Sequence, residues 1–468
     1  MRTKVYLLSL LFCFLMVACE GQKVKQSAPS TATKAVTERP SPAGKPVWEA
    51  GKTYANEAVG GAGNNRYAFR LPTSYQAEKK YPVLIFFDSH GRGIDPLEKY
   101  QSLGDEFGLI LIGSNTSKNG QQFPQSQQIY SQLLRDLKQK FSLAEDRIWL
   151  AGFSGGARVA ATLAQRDAQI AGVLGCAAGF QPQQNDRFNY VGFVGMEDFN
   201  YQEMRHLDQT LDQTAMHHGL NYFDGGHEWP PISNLKTGIE FLILRGMADH
   251  QVQRDDSLIE ALDGAFQKKV QSLKSSSLAE WQHAFEGMWH SSRDGLVEEG
   301  RAEHPTSMPS SLIANLDEEE RTEVALRNQY GPQIQTKSVD EWRKIAKELH
   351  AKANSKNQRT AWMHKRVLNF LSLNVYFQVS GHLGQNNLPA AENFQQIYAL
   401  VDPENAEHAY LLANIRGRQG KSEAALNALK TAIELGFDDV SRMQTDPDFA
   451  GLHGKPEFDD LISKVNAK

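Results

Sequence analysis

The sequence predicts a doubly wound α/β sheet followed by an all-α C-terminal domain, on three observations. Between about Trp48 and Met247, short β-type runs alternate with helical periodicity, the pattern of a parallel sheet covered by helices. Several of those runs are continuously apolar, such as Val83-Leu84-Ile85-Phe86-Phe87 and Leu109-Ile110-Leu111-Ile112, as strands buried on both faces must be. Beyond Val252 the β-type runs stop and helical spacing takes over. The 468 residues are 40% hydrophobic and 22% charged, which is enough apolar material for true cores and too mixed for a disordered or multi-span chain. With 50 basic against 55 acidic residues there is no cationic field to hold a phosphate backbone, so no nucleic-acid partner is expected.

In chain order, the first element is a leader. Arg2 and Lys4 precede an apolar run over 5–16 that is short for a bilayer span, as in a secretory signal peptide. It ends Met16-Val17-Ala18-Cys19, which resembles the lipobox of bacterial lipoproteins. That resemblance implies cleavage after residue 18, a diacylated Cys19 and a lipid-anchored place in the cell envelope; the alternative is an ordinary signal peptide with an incidental cysteine. Residues 19–47, rich in Ser, Thr, Ala, Pro and Lys without periodicity, read as a flexible tether. The remaining divisions expected are an α/β domain over 48–248, a helical linker or scaffold over 249–360, and helical repeats over 361–468. Cys13 lies in the leader, so beside Cys19 only Cys176 remains, which excludes a disulfide framework and cysteine-based zinc or redox chemistry.

Strands are expected at 66–71, 82–87, 109–112, 147–151, 172–177, 190–194 and 221–223, with helices at 125–141, 155–166, 201–217 and 235–245. The strand at 147–151 runs into Gly152-Phe153-Ser154-Gly155-Gly156 and then a helix, the context a G-x-S-x-G nucleophile elbow requires. A sharp strand-to-helix turn needs residues without Cβ on either side of the serine, and Gly152 and Gly156 supply them. The helix start at Gly155 offers a free backbone N–H and a positive dipole end to a developing oxyanion. His227, in Gly225-Gly226-His227 after the last strand, stands where a base is wanted, and Glu197, Asp198 and Asp224 are acids near enough to orient it.

These residues and their order resemble the α/β-hydrolase superfamily, especially small esterases akin to dienelactone hydrolases and polyhydroxyalkanoate depolymerases, over about 66–247. The resemblance implies a Ser154, Asp198, His227 triad, the acid chosen by the family spacing Gly195-x-x-Asp198. It also implies that the loop Asp88-Ser89-His90-Gly91-Arg92-Gly93 supplies a second oxyanion donor, at Gly91 or Arg92, beside Gly155. The activity implied is ester hydrolysis through an acyl-enzyme, needing neither metal nor organic cofactor; a serine peptidase or amidase of the same fold is the enzymatic alternative.

Other residues read as structural. The pair His217-His218 lacks a third ligand in register, and Cys176 sits in an apolar strand as a small core residue. Phe153, Phe199, Tyr201 and Trp229 flank the triad and either wall a pocket or simply pack. Only about ten residues separate the strands at 172–177 and 190–194, too few for a large cap domain there, which favours an open cleft and a water-soluble ester over a lipase that closes on bulk lipid; cover by the C-terminal region is the alternative.

In that region helices are expected at 257–273, 278–288, 318–328, 339–350 and 362–379, with a polar loop at 293–308. An offset of about 34 residues sets Ala391 against Ala425 and Tyr398 against Ala432, with Pro403 closing the first unit. Together with Leu412, Ala413 and Leu429 this resembles tetratricopeptide repeats, which implies a short helical-hairpin array that binds a protein partner or serves as a scaffold on the α/β domain. A catalytically inactive interaction protein using those repeats is the reading from outside enzymology.

Overall fold

The computed structural model describes residues 48–272 and 310–466. The leader, Cys19, the tether, the helix expected at 278–288 and the loop at 293–308 lie outside those residues.

Eight strands form one mixed sheet: β1 Thr53–Ala58, β2 Arg66–Arg70, β3 Tyr81–Phe87, β4 Ile110–Ser114, β5 Leu143–Phe153, β6 Ile170–Cys176, β7 Asn189–Gly195 and β8 His218–Phe223. Their spatial order is β1-β2-β4-β3-β5-β6-β7-β8. From β4 to β8 every pairing is parallel, whereas β2 runs antiparallel to both β1 and β4. The sheet is therefore mixed, not wholly parallel as the alternation predicts. Strand β1 was not expected: Tyr-Ala-Asn-Glu-Ala carries no apolar run because it is an edge strand, half in solvent.

Alternate residues of the central strands feed two cores. Val83, Ile85, Phe87, Ile148 and Leu150 face helices α2 (Phe123–Lys140) and α3 (Gly155–Ala164). Leu84, Phe86, Trp149, Ala151 and Phe193 face α1 (Ile94–Phe107) and α5 (Ile232–Ala248). Helix α1, whose Leu97, Tyr100 and Leu103 are buried, was also unforeseen. Helix α4 (Tyr201–Leu211) stops earlier than its expected end at 217, because the chain must turn before His218 pairs with Tyr190 in the β7–β8 ladder. The connections leaving β3 and β5 diverge, one to α1 and one to α3 on opposite faces, which opens a crevice at the carboxyl ends of these two strands.

After α6 (Asp256–Ser272) the described chain is helical. Helices α7 (Ser310–Tyr330), α8 (Gln333–Thr336), α9 (Val339–Ala353), α10 (Gln358–Gly384), α11 (Leu388–Val401) and α12 (Ala406–Arg418) share one apolar cluster that includes Trp342, Val367, Leu371, Tyr398 and Ile415. Because α9 packs in this cluster with α10 and α11, the division expected at 360/361 cuts through a common core. Helix α13 (Ser422–Glu434) pairs with α12, and α14 (Val440–Thr445) and α15 (Pro456–Asn466) close the array around Tyr410, Phe449 and Phe458. Ala391, Ala413, Ala425 and Ala432 are wholly buried, which lets adjacent helices approach closely. Among the described residues no helix is long and apolar enough to cross a membrane.

The helical part docks on the sheet part through Trp362 of α10, which packs with Val194, Met196, Tyr201, Met204 and Leu220. A buried polar network surrounds that contact. Arg366 (α10), fully buried, pairs with Glu323 of α7 at 2.8 Å and Glu319 at 2.5 Å, and Arg327 lies 2.5 Å from Glu323. Gln202 and Arg205 of α4 reach Glu323 and Glu320.

Candidate active site

The site grows from the turn between β5 and α3. Ser154 has φ 54° and ψ −120°, a conformation costly for a residue with a side chain, and it lifts the hydroxyl clear of the sheet. Its N–H donates to Cys176 O at 2.8 Å, and its carbonyl accepts from Ala157 at 3.0 Å, so both neighbouring elements hold it. A Cβ on Gly152 would overlap the Gly156 carbonyl, and one on Gly156 would overlap Phe87 O, which is why both positions are glycine.

Ser154 Oγ lies 2.9 Å from His227 Nε2. The other ring nitrogen, Nδ1, is 3.0 and 3.1 Å from the two oxygens of Asp198, which is completely buried. Asp198 Oδ1 also accepts from the Asn200 N–H at 2.7 Å. The structure thus brings together the serine, acid and histidine expected from the sequence. It separates the alternatives: Glu197 turns away to Lys365, 2.6 Å distant, and Asp224 is exposed. The Phe199 ring stacks on the imidazole with centroids 4.2 Å apart, and Phe153 lies 4.9 Å away, so two aromatic faces confine His227. Tyr201 and Trp229 do not line the site in that way. Tyr201 is buried beneath Arg366, and Trp229 packs on Phe86, Tyr100 and Phe153.

The loop after β3, from which a second oxyanion donor is expected, differs from expectation at Gly91. Its N–H is committed to Asp88 O (3.2 Å) in a turn with φ 74°, so Gly91 offers no free donor. The Arg92 N–H makes only a long contact, 3.4 Å, with Asp88 Oδ1. Gly155, at the helix start, donates to no acceptor among the described residues. The Asn119 carboxamide lies directly against it, where a Gly155 Cβ would overlap Oδ1.

Sequence reasoning missed Asp88. Buried at the end of β3, it accepts from His90 N–H (2.8 Å) and from Trp229 Nε1 (3.2 Å), tying the loop after β3 to the loop that carries His227. Burial pushes its carboxyl up, but the hydrogen bonds from His90 and Trp229 outweigh this and hold it below the ordinary carboxylate value. The signal was present as an acid ending a buried strand. Cys176 is buried at the end of β6 with its thiol pushed up by desolvation, as befits an inert core residue. His218 pairs with Asp208 and Asp212, and among the described residues no cluster of His, Cys, Asp or Glu could hold a metal.

The arrangement can activate a hydroxyl: the imidazole is within proton-transfer distance of Ser154, its tautomer is set by Asp198, and a donor waits beside the nucleophile. No protein-family model and no curated protein matches the chain. Among solved structures it is similar to an S-formylglutathione hydrolase from Staphylococcus aureus, with 15% identity and a TM-score of 0.33, over 42% of this chain and 98% of that one. A ferulic acid esterase gives 17% identity and a TM-score of 0.33 over 40% of this chain and 95% of its own. The feruloyl esterase module from Clostridium thermocellum gives 14% and 0.32, over 43% and 90%. The neighbours are esterases and serine hydrolases, each covering about two-fifths of this chain.

Proposed function

We propose that the chain is a serine hydrolase of the α/β-hydrolase type acting on carboxylic esters. The observation that carries this is the continuous line from Ser154 Oγ through both nitrogens of His227 to buried Asp198. As Oγ attacks the ester carbonyl, Nε2 takes the hydroxyl proton and the carbonyl π pair moves onto oxygen. The oxyanion forms beside the Gly155 N–H, with the Arg92 N–H as the remaining donor of the loop. Collapse of this intermediate breaks the C–O bond to the alcohol, which leaves with the proton from Nε2. Water then repeats the sequence on the acyl-enzyme and releases the acid. Asp198 accepts from Nδ1–H throughout and stabilises the imidazolium.

The test is covalent labelling with a fluorophosphonate, followed by a panel of short-chain, aromatic, polyester and acetylated-glycan esters alongside matched amides. An adduct on Ser154 that is absent in Ser154→Ala, with ester turnover exceeding amide turnover, supports the reading; a folded protein that takes no adduct overturns it. The proposal includes a lipid anchor on Cys19, checked by metabolic labelling with a fatty acid in wild type and Cys19→Ser. It also includes a tetratricopeptide-like role for the α10–α13 helices.

A further inference from the structure

The loop that carries Asp198 is held from outside the α/β part. Arg366 donates to Met196 O at 2.8 Å, Asn369 to Glu197 O at 2.8 Å, and Arg327 to Phe199 O at 2.9 Å. Lys365 adds an ion pair with the Glu197 carboxylate at 2.6 Å. These contacts fall on the two residues before Asp198 and the one after it, and all come from α7 and α10. Backbone carbonyls are being gripped, so the grip sets where the loop runs whatever side chains it carries.

The donors are themselves fixed. Arg366 and Glu323 are fully buried as a pair, Glu319 and Arg327 complete the network, and the Arg366 guanidinium lies 4.3 Å over the Tyr201 ring, at the start of the helix that follows the acid loop. Burying this many charges is expensive, and apolar residues of equal volume would serve packing as well or better. What apolar residues could not do is donate to the Met196 and Phe199 carbonyls, as Arg366 and Arg327 do.

We infer that Arg366, Asn369 and Arg327 are positioning residues of the active site, holding the Met196–Phe199 backbone so that Asp198 stays on His227 Nδ1. The helical part is then a component of the catalytic centre. The inference rests on the triad proposed above. A carboxylate displaced by a fraction of an ångström loses its hold on the imidazole, and misplacements of about 1 Å can cost on the order of 100-fold in rate.

The experiment uses the full chain and measures kcat, KM and the rate of fluorophosphonate labelling for Asn369→Ala, alone and combined with Asp198→Asn. Asn369 is half-buried at the rim, so its replacement spares the apolar contact at Trp362. The expected result is a drop of about 10-fold in kcat and labelling with KM little changed, and less than about 2-fold further loss in the Asp198→Asn background, because the acid being positioned is already gone. Arg366→Lys, which keeps the charge but loses the planar fork, should fall between Asn369→Ala and Asp198→Asn; where it does not fold, Asn369→Ala decides alone. Wild-type rates in Asn369→Ala, or an equal loss in both backgrounds, overturn the inference. Wild type that does not label at Ser154, or is indifferent to Asp198→Asn, overturns the triad reading instead.

Discussion

Two loops flank Ser154, and they are held in different ways. The loop after β3 is tied to itself and to its neighbour: Asp88 accepts from His90 N–H and from the Trp229 indole, all within the α/β part. The loop after β7 is held by side chains 128 to 172 residues further along the chain. The first can form wherever the sheet forms; the second needs helices that contribute no reacting group. The proposed catalytic centre would therefore depend on a region in which no catalytic motif is written.

The comparison can be broken at four points. The largest effect is expected at the acid itself: Asp198→Asn should lower kcat by roughly 10⁴-fold, measured on whichever ester the panel identifies, since the histidine loses its tautomer and orientation. Next comes the self-tied loop. Asp88→Ala removes the acceptor for His90, Arg92 and Trp229 together and should lower kcat by about 10- to 100-fold, with a loss of about 1–3 kcal/mol in denaturant unfolding for the donors left unsatisfied. Trp229→Phe, which removes one of those donors and keeps the packing, should do less in both assays.

The third point is the network under the acid loop. Burial pushes the Glu323 carboxyl up, but Arg366 and Arg327 outweigh it and hold it below its ordinary value. A carboxyl whose folded pKa lies below its unfolded one adds stability that is fully present above the unfolded value and is lost as pH falls through the folded value. Glu323→Gln should therefore cost about 3 kcal/mol near neutrality, and the gap from wild type should close as pH drops below about 4. Thermal unfolding of both proteins across pH 3–7 checks this; a constant gap would mean that Glu323 charge contributes nothing. The smallest effect is expected where the two parts meet in solvent. Arg92 and Asp438 lie 3.4 Å apart with both side chains exposed, so Asp438→Ala should change stability by less than about 1 kcal/mol and kcat by less than about 2-fold.

The legible parts of the molecule were those whose chemistry is local. Gly152-Phe153-Ser154-Gly155-Gly156 could be read because a buried strand, a crowded turn and a helix start leave adjacent marks. His227 could be read because it follows an apolar strand, whereas Asp198 was distinguished from Glu197 and Asp224 only by the spacing that the family resemblance implies. Strand β1 was illegible for the converse reason: an edge strand of mixed polarity has no run to detect. Helix α1 was obscured by Gly104, which packs on Leu111 where a larger side chain would crowd, and by Pro96 near its start. The Glu323, Arg327 and Arg366 network was the least visible. On paper these are ordinary charges on amphipathic helices, and only the docking of α7 and α10 on α4 turns them into buried partners.

The grip on the acid loop also has a direction in time. A ribosome releases the sheet, Ser154 and His227 well before it has made Glu323, and Arg366 and Asn369 come later still. During that interval the loop around Asp198 has only its own hydrogen bonds and those to the sheet part. A nascent chain thus carries Ser154 and His227 ahead of the residues that grip the Asp198 loop, and under the proposed mechanism full reactivity would wait for the helices that close the network.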